Sequence, residues 1–143
     1  MSTRRKLLIA EDNEADVFLI REALNLSGLD YDAEVASNGE SALERVDEIA
    51  GSPGASIDAI LLDLNLTTHS GLEILEHVRG TPAFDDTRII ILTSSDSPGD
   101  RQRASDLGSD LYIRKPMDFD EFMQVGRRIA DLLTKGEQTA TST

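Results

Sequence analysis

The most constraining stretch of this chain is Ile60-Leu61-Leu62-Asp63-Leu64-Asn65-Leu66, where large apolar residues run straight into a carboxylate. Ile57 and Ala59 precede it, Gly54 lies upstream, and Thr67, Thr68 and Ser70 lie downstream, so it reads as a buried strand bounded by turn residues. Uninterrupted apolar strands belong to parallel sheets, whose two faces are both covered by helices. Asp63 falls where that strand ends, and open α/β sheets bind ligands at the carboxyl ends of their strands. A single Asp in such a place is more often a turn or cap residue. Its weight here comes from matching polar groups at other strand ends.

Leu7-Leu8-Ile9-Ala10 is a short apolar strand ending in Glu11-Asp12. The spacing of Val17, Ile20 and Leu24 predicts a helix over Ala15 to Leu26, capped by Asp12 or Asn13 and stopped by Gly28. Tyr31 to Ala36 alternates enough for a second strand nearer an edge. Ser37-Asn38-Gly39-Glu40 and Ser70-Gly71-Leu72-Glu73 both fit a Ser-x-x-Glu capping box, which starts the second and third helices. Ile89 to Leu92 is a fourth strand, leading into Thr93-Ser94-Ser95, and Asp100 to Leu107 is a short, polar fourth helix. Leu111-Tyr112-Ile113 is the fifth strand, running to Arg114-Lys115-Pro116. Asp118 opens a last helix that continues to about Leu133 or Thr134. The expected domain is 1–135, with a small-polar, flexible tail over 136–143 that has nothing to bury.

Strand and helix thus alternate five times, which predicts a doubly wound, five-stranded parallel α/β sheet with five helices. The continuous apolar strands one, three and four belong in the centre and strands two and five at the edges, the flavodoxin-like order 2-1-3-4-5.

Composition narrows the function. A net charge of -13 speaks against a DNA-binding face. The absence of cysteine removes disulfides and thiolate metal sites. Only Leu7 to Ala10 separates the basic N-terminus from Glu11, too little for a signal-peptide core or a membrane span, so a cytoplasmic protein without membrane attachment is expected. The lysines are Lys6, Lys115 and Lys135, so Lys115 is the only one away from the chain ends.

On the expected sheet, Glu11, Asp12, Asp63, Thr93 and Lys115 meet in one crevice. Crowded carboxylates repel unless a cation neutralises them. Ligands that are all hard oxygens select Mg²⁺ or Mn²⁺ over zinc. Asp12 and Asp63 would ligate directly, with the carbonyl of Asn65 and waters, and Glu11 would act through a water. Thr93 and Lys115 opposite the metal suit a tetrahedral dianion. Asp63 is then the natural nucleophile for phosphoryl transfer, giving an aspartyl phosphate.

The motifs Ile9-Ala10-Glu11-Asp12-Asn13, Leu61-Leu62-Asp63-Leu64-Asn65-Leu66, Ile91-Leu92-Thr93-Ser94 and Tyr112-Ile113-Arg114-Lys115-Pro116 resemble those of response-regulator receiver domains of two-component signalling. The resemblance runs from about Lys6 to Leu133. It implies Asp63 as phosphoacceptor, Glu11 and Asp12 as the acidic pair, Thr93 as switch hydroxyl and Tyr112 as switch aromatic. Lys115 would bind phosphate, and the Lys115–Pro116 bond would be cis. Thr67, Ser70 and Ala10 stand where Pro, Asp and Val are common, and the missing proline is expected to loosen the loop after Asp63. The stretch from Glu11 to Leu24 and Asp63-Leu64-Asn65-Leu66 are also similar to small single-domain regulators paired with phytochrome-type histidine kinases.

What the resemblance implies is Mg²⁺-dependent transfer from a histidine kinase phosphohistidine to Asp63, with slow hydrolysis of the product. No output domain fits after Leu133, so the output would be a protein contact, or onward transfer in a phosphorelay. Small-molecule phosphatases with an Asp nucleophile generally carry a lid, and the short loops here provide none. A flavin carrier needs a Gly- or Ser/Thr-rich phosphate loop after strand one, where this chain has Glu11-Asp12-Asn13-Glu14-Ala15-Asp16.

His69 and His77 read as surface residues, and Phe18, Phe84, Phe119 and Phe122 by type as core. The last helix carries more apolar residues than one buried stripe holds. Phe122, Val125, Ile129 and Leu132 or Leu133 suffice for the sheet. Phe119 and Met123 are left over, to cover the sheet's lower edge or to form, with the fourth helix and fifth strand, a contact for a second copy or a partner.

Overall fold

The computed structural model describes the backbone of residues 4–142 and the side chains of residues 4–134. Its elements are β1 (Arg5–Ala10), α1 (Glu14–Ser27), β2 (Tyr31–Ala36), α2 (Gly39–Ala50), β3 (Ala59–Leu62), α3 (Gly71–Arg79), β4 (Arg88–Thr93), α4 (Pro98–Asp106), β5 (Leu111–Arg114) and α5 (Phe119–Ser142). A single 3-10 turn, Pro82–Phe84, between α3 and β4 was not anticipated. The sheet is parallel throughout and has the order β2-β1-β3-β4-β5, as the apolar runs require.

Alternate residues of the strands feed two cores. Leu8, Ala10, Ile60, Leu62, Ile89 and Ile91 pack with α2, α3 and Ala104 of α4. Leu7, Ile9, Leu61, Ile90, Leu92 and Ile113 pack with Ile20 and Leu24 of α1 and with Phe122, Val125, Ile129 and Leu133 of α5. This is the period-two alternation of a strand buried on both faces. α1 and α5 approach so closely that a Cβ added at Gly126 would run into the backbone of Ala23.

Asn13 caps α1, its side chain accepting from the N–H groups of Ala15 and Asp16, and Gly28 ends the helix in the left-handed region at φ 82°. Ser70 caps α3, accepting from the Glu73 N–H at 3.3 Å. α2 departs from expectation: its cap is Asn38, which accepts from Ser41 N–H at 2.8 Å, so Ser37 and Glu40 form no capping box. Asn caps as well as Ser, and the Glu40 N–H is already taken by the Thr68 hydroxyl at 2.8 Å. α4 begins at Pro98, earlier than Asp100, because a proline suits the first turn and Ser97 supplies the cap.

The loop after Asp63 is tied down without a proline. The Thr67 carbonyl accepts from Gly39 N–H at 2.8 Å, and a Cβ at Gly39 would meet the His69 backbone. The Lys115–Pro116 peptide is trans, not cis; trans is the intrinsically preferred isomer before proline, by about 0.5–1 kcal/mol.

Phe84 and Phe122 are buried, whereas Phe18 and Phe119 are exposed, so two of the four phenylalanines are not core. The α5 backbone is helical to Ser142, past the expected end near Leu133. The tail expected over 136–143 falls on residues whose side chains lie outside those described. Among the described residues no helix is long and apolar enough to cross a membrane.

Candidate functional site

The site is built where the strands stop. The Glu11 N–H donates to the Ala36 carbonyl at 3.0 Å, the Asp63 N–H to the Ala10 carbonyl at 3.1 Å, and the Lys115 N–H to the Thr93 carbonyl at 2.7 Å. Each site residue therefore extends the sheet's own hydrogen-bond ladder by one step, which fixes its side-chain direction. Glu11, Asp63 and Thr93 are buried and Asp12 is exposed. Carboxylate oxygens of Glu11, Asp12 and Asp63 lie within 4.8 Å of one another.

Lys115 reaches into this cluster. Its Nζ lies 2.7 Å from Glu11 Oε1, 3.0 Å from Asp63 Oδ2 and 2.8 Å from Asp16 Oδ2. Asp16 is the contact that sequence reasoning missed. It belongs to the first turn of α1, and its bond to Lys115 spans 99 residues of sequence. The available hint was an excess of acids over Glu11 to Asp16 against one internal lysine.

The second carboxylate oxygens of Glu11 and Asp63 are also engaged. Asn13 N–H donates to Glu11 Oε2 at 3.1 Å and Asn65 N–H donates to Asp63 Oδ1 at 3.1 Å. Burial pushes the Glu11 carboxyl up to about 7, helped by the Asp63 charge and opposed by Lys115 and the Asn13 N–H. Burial also pushes Asp63 upward, but the Asn65 N–H, the Lys115 ammonium and the Thr93 hydroxyl together outweigh it and hold Asp63 below the usual carboxylate value. Burial works to lower Lys115, yet its bonds to Asp16, Glu11 and Asp63 leave it well above an ordinary lysine. One neutralisable acid thus stands beside one firmly ionised aspartate.

The three clustered acids are hard oxygen donors with no softer ligand among them, which fits Mg²⁺ or Mn²⁺. Asn65 enters the site through its backbone on the Asp63 side.

Thr93 and Tyr112 lie on one hydrogen-bonded path. The Thr93 hydroxyl oxygen accepts from Ser95 N–H at 3.3 Å, and the Ser95 carbonyl accepts from the Tyr112 hydroxyl at 3.2 Å. The Arg101 guanidinium carbon sits 4.4 Å from the Tyr112 ring centroid. The two histidines stand apart from the site, His69 beside Glu73 at 3.1 Å and His77 bridging to Asp47 of α2 at 2.7 Å.

The response regulator receiver domain model matches residues 7–127. The chain belongs to the response regulator receiver domain family. Among curated relatives it is 33% identical over 139 residues to Response regulator MprA of Mycobacterium tuberculosis, covering 96% of this chain and 55% of the relative. It is 32% identical over 118 residues to Transcriptional regulatory protein TrcR of the same organism, covering 82% of this chain and 42% of that one. The receiver chain therefore spans about half the length of the curated relatives it matches. Among solved structures, the phosphorylated cyanobacterial phytochrome response regulator RcpA aligns with a TM-score of 0.82 at 28% identity, over 92% of this chain and 95% of that one. The Mn²⁺-bound form of response regulator Rcp1 aligns with a TM-score of 0.78 at 26% identity, over 89% and 92%. Receiver domains of two-component response regulators are acceptors of a phosphoryl group.

Proposed function

We propose that this receiver takes a phosphoryl group from the phosphohistidine of a histidine kinase onto Asp63, in a Mg²⁺-dependent reaction, and thereby switches a protein contact surface. The observation that carries the reading is the Lys115 ammonium bonded to a buried, ionised Asp63 beside two further acids. An Asp63 carboxylate oxygen forms the new bond to phosphorus, and the phosphorus–nitrogen bond breaks with its electron pair going to the imidazole. Lys115 offers its positive charge to the transferred group, and Thr93 offers a hydroxyl donor to a second oxygen. Asp12, Asp63 and the carbonyl of Asn65 would hold the divalent cation, with Glu11 acting through a water, and the cation would offset the negative charge that gathers there.

The solved neighbours support this chemistry, since one is phosphorylated and one holds Mn²⁺. They also favour a phytochrome-type kinase as donor, because RcpA is a phytochrome response regulator. Incubation with acetyl phosphate, with and without Mg²⁺, followed by intact mass and peptide mapping, tests the reading. One phosphoryl group should appear on Asp63, only with the cation, and vanish in Asp63→Asn. Label kept in Asp63→Asn, or formed equally in chelator, would sink it.

A further inference from the structure

The Lys115 ammonium has three N–H donors, and all three are committed, to Glu11, Asp16 and Asp63. Two of those acceptors belong to the acid cluster that fits a cation, and Asp63 is also the residue to be phosphorylated. Asp16 is not a member of that cluster. Its carboxylate is therefore the one lysine contact that neither metal binding nor phosphorylation uses up.

Resting on the functional reading above, we propose that Asp16 is a positioning residue that anchors Lys115 to α1 and takes a share of the ammonium's charge that would otherwise fall wholly on the cation's carboxylates. The side chain is suited to that. It is 23% exposed, and its backbone is fixed because Asp16 N–H donates to the Asn13 cap oxygen at 3.1 Å. Without it, the whole positive charge of Lys115 leans on Glu11 and Asp63, the groups a divalent cation has to engage. Asp16 thus supports the metal site while touching only the lysine. The competing account makes Asp16 an acid in a helix's first turn, serving the helix dipole alone. Glu14, the other acid of that turn, supplies the control.

The test is Mg²⁺ titration by calorimetry of wild type, Asp16→Asn, Asp16→Glu and Glu14→Gln, with the Lys115 Nζ resonance followed by NMR. Asp16→Asn should weaken Mg²⁺ binding about tenfold, the size of loss typical when a supporting residue behind a metal ligand is removed. Its Lys115 ammonium protons should exchange too fast to observe once Mg²⁺ is bound. Glu14→Gln, with the same charge change, should stay close to wild type, and Asp16→Glu should recover most of the affinity. Affinity and lysine signals in Asp16→Asn that match Glu14→Gln overturn the proposal. Should Asp16→Asn fail to fold, Asp16→Glu against Glu14→Gln decides it: a lysine signal in Asp16→Glu that is lost on Mg²⁺ binding overturns the proposal, and a retained one supports it. Wild type that binds no Mg²⁺ overturns the functional reading itself, a different result from a wild type that binds beside an indifferent Asp16→Asn.

Discussion

Thr93 and Tyr112 are joined through a single residue: Ser95 donates its N–H to the Thr93 hydroxyl and accepts the Tyr112 hydroxyl on its carbonyl. A phosphoryl group on Asp63 adds acceptor oxygens. It should draw the Thr93 hydroxyl toward Asp63, pulling away the oxygen that Ser95 uses and loosening the grip on Tyr112. Tyr112→Phe should therefore move the amide resonances of Ser95 and β5 in the direction that phosphorylation does, at a stability loss of about 1 kcal/mol for one hydrogen bond. The Thr93→Ala, Lys115→Ala double variant should lose the phosphorylation shifts around β4 and β5. Shifts of wild-type size in that variant count against the route.

Removing the lysine has a separate, thermodynamic signature. Lys115→Ala leaves buried Glu11 and Asp63 without their cation, and stranding a buried charge costs about 3 kcal/mol or more. Urea unfolding at pH 8 in chelator should show that loss, and added Mg²⁺ should reduce it. Equal losses with and without Mg²⁺ would place the lysine's role outside the acid cluster.

Glu11 gives the metal-free protein a pH dependence of predictable sign. Its folded value of about 7 stands above the ordinary 4.5, so the folded state holds a proton that the unfolded chain releases. That contribution to stability is full below about pH 4.5 and is lost as pH rises through 7. Melting temperatures in chelator should fall over that window more steeply for wild type than for Glu11→Gln. Mg²⁺, competing with the same proton, should bind more weakly as pH drops below 7. Parallel melting curves for the two proteins would refute the assignment.

Most of this was legible in the chain because its strands announce themselves. Ile60 to Leu62 and Ile89 to Leu92 are apolar at every position, so strand identity, order and the residues at their ends followed together. Glu11, Asp63, Thr93 and Lys115 converge as expected because each stands one step past, or at, a strand's last residue. Asp16 was illegible because a helix residue's direction depends on how α1 is rotated against the sheet, which strand periodicity does not fix. The α2 cap was misread for a local reason: Ser37 fits the motif, but Thr67 and Thr68 had already claimed the backbone donors of Gly39 and Glu40. Phe18 was misread because aromatic character alone says nothing of which helix face carries it, whereas Phe119 is exposed as its surplus to the buried stripe of the last helix suggested.

Phe119 marks the surface where a contact is to be sought. Phe122, Val125 and Ile129 fill the core face of α5, while Phe119 stays exposed and Met123 half-covered. Sedimentation at several concentrations, with and without phosphodonor, should show self-association that Met123→Glu weakens. A strict monomer in both states excludes a second copy as the occupant, and Met123→Glu should then weaken phosphoryl transfer from the cognate kinase.

The close approach of Gly126 to Ala23 has a bearing on transplanting this chemistry. Lys115 enters from the segment leading into α5, and Asp16 is carried by α1, so the gap between those two helices sets how far the ammonium and its carboxylate stand apart. A single methyl group at position 126 would wedge the helices open. An engineer grafting Glu11, Asp12, Asp16, Asp63 and Lys115 onto another scaffold would have to copy a hydrogen atom between the two helices as faithfully as any charged group.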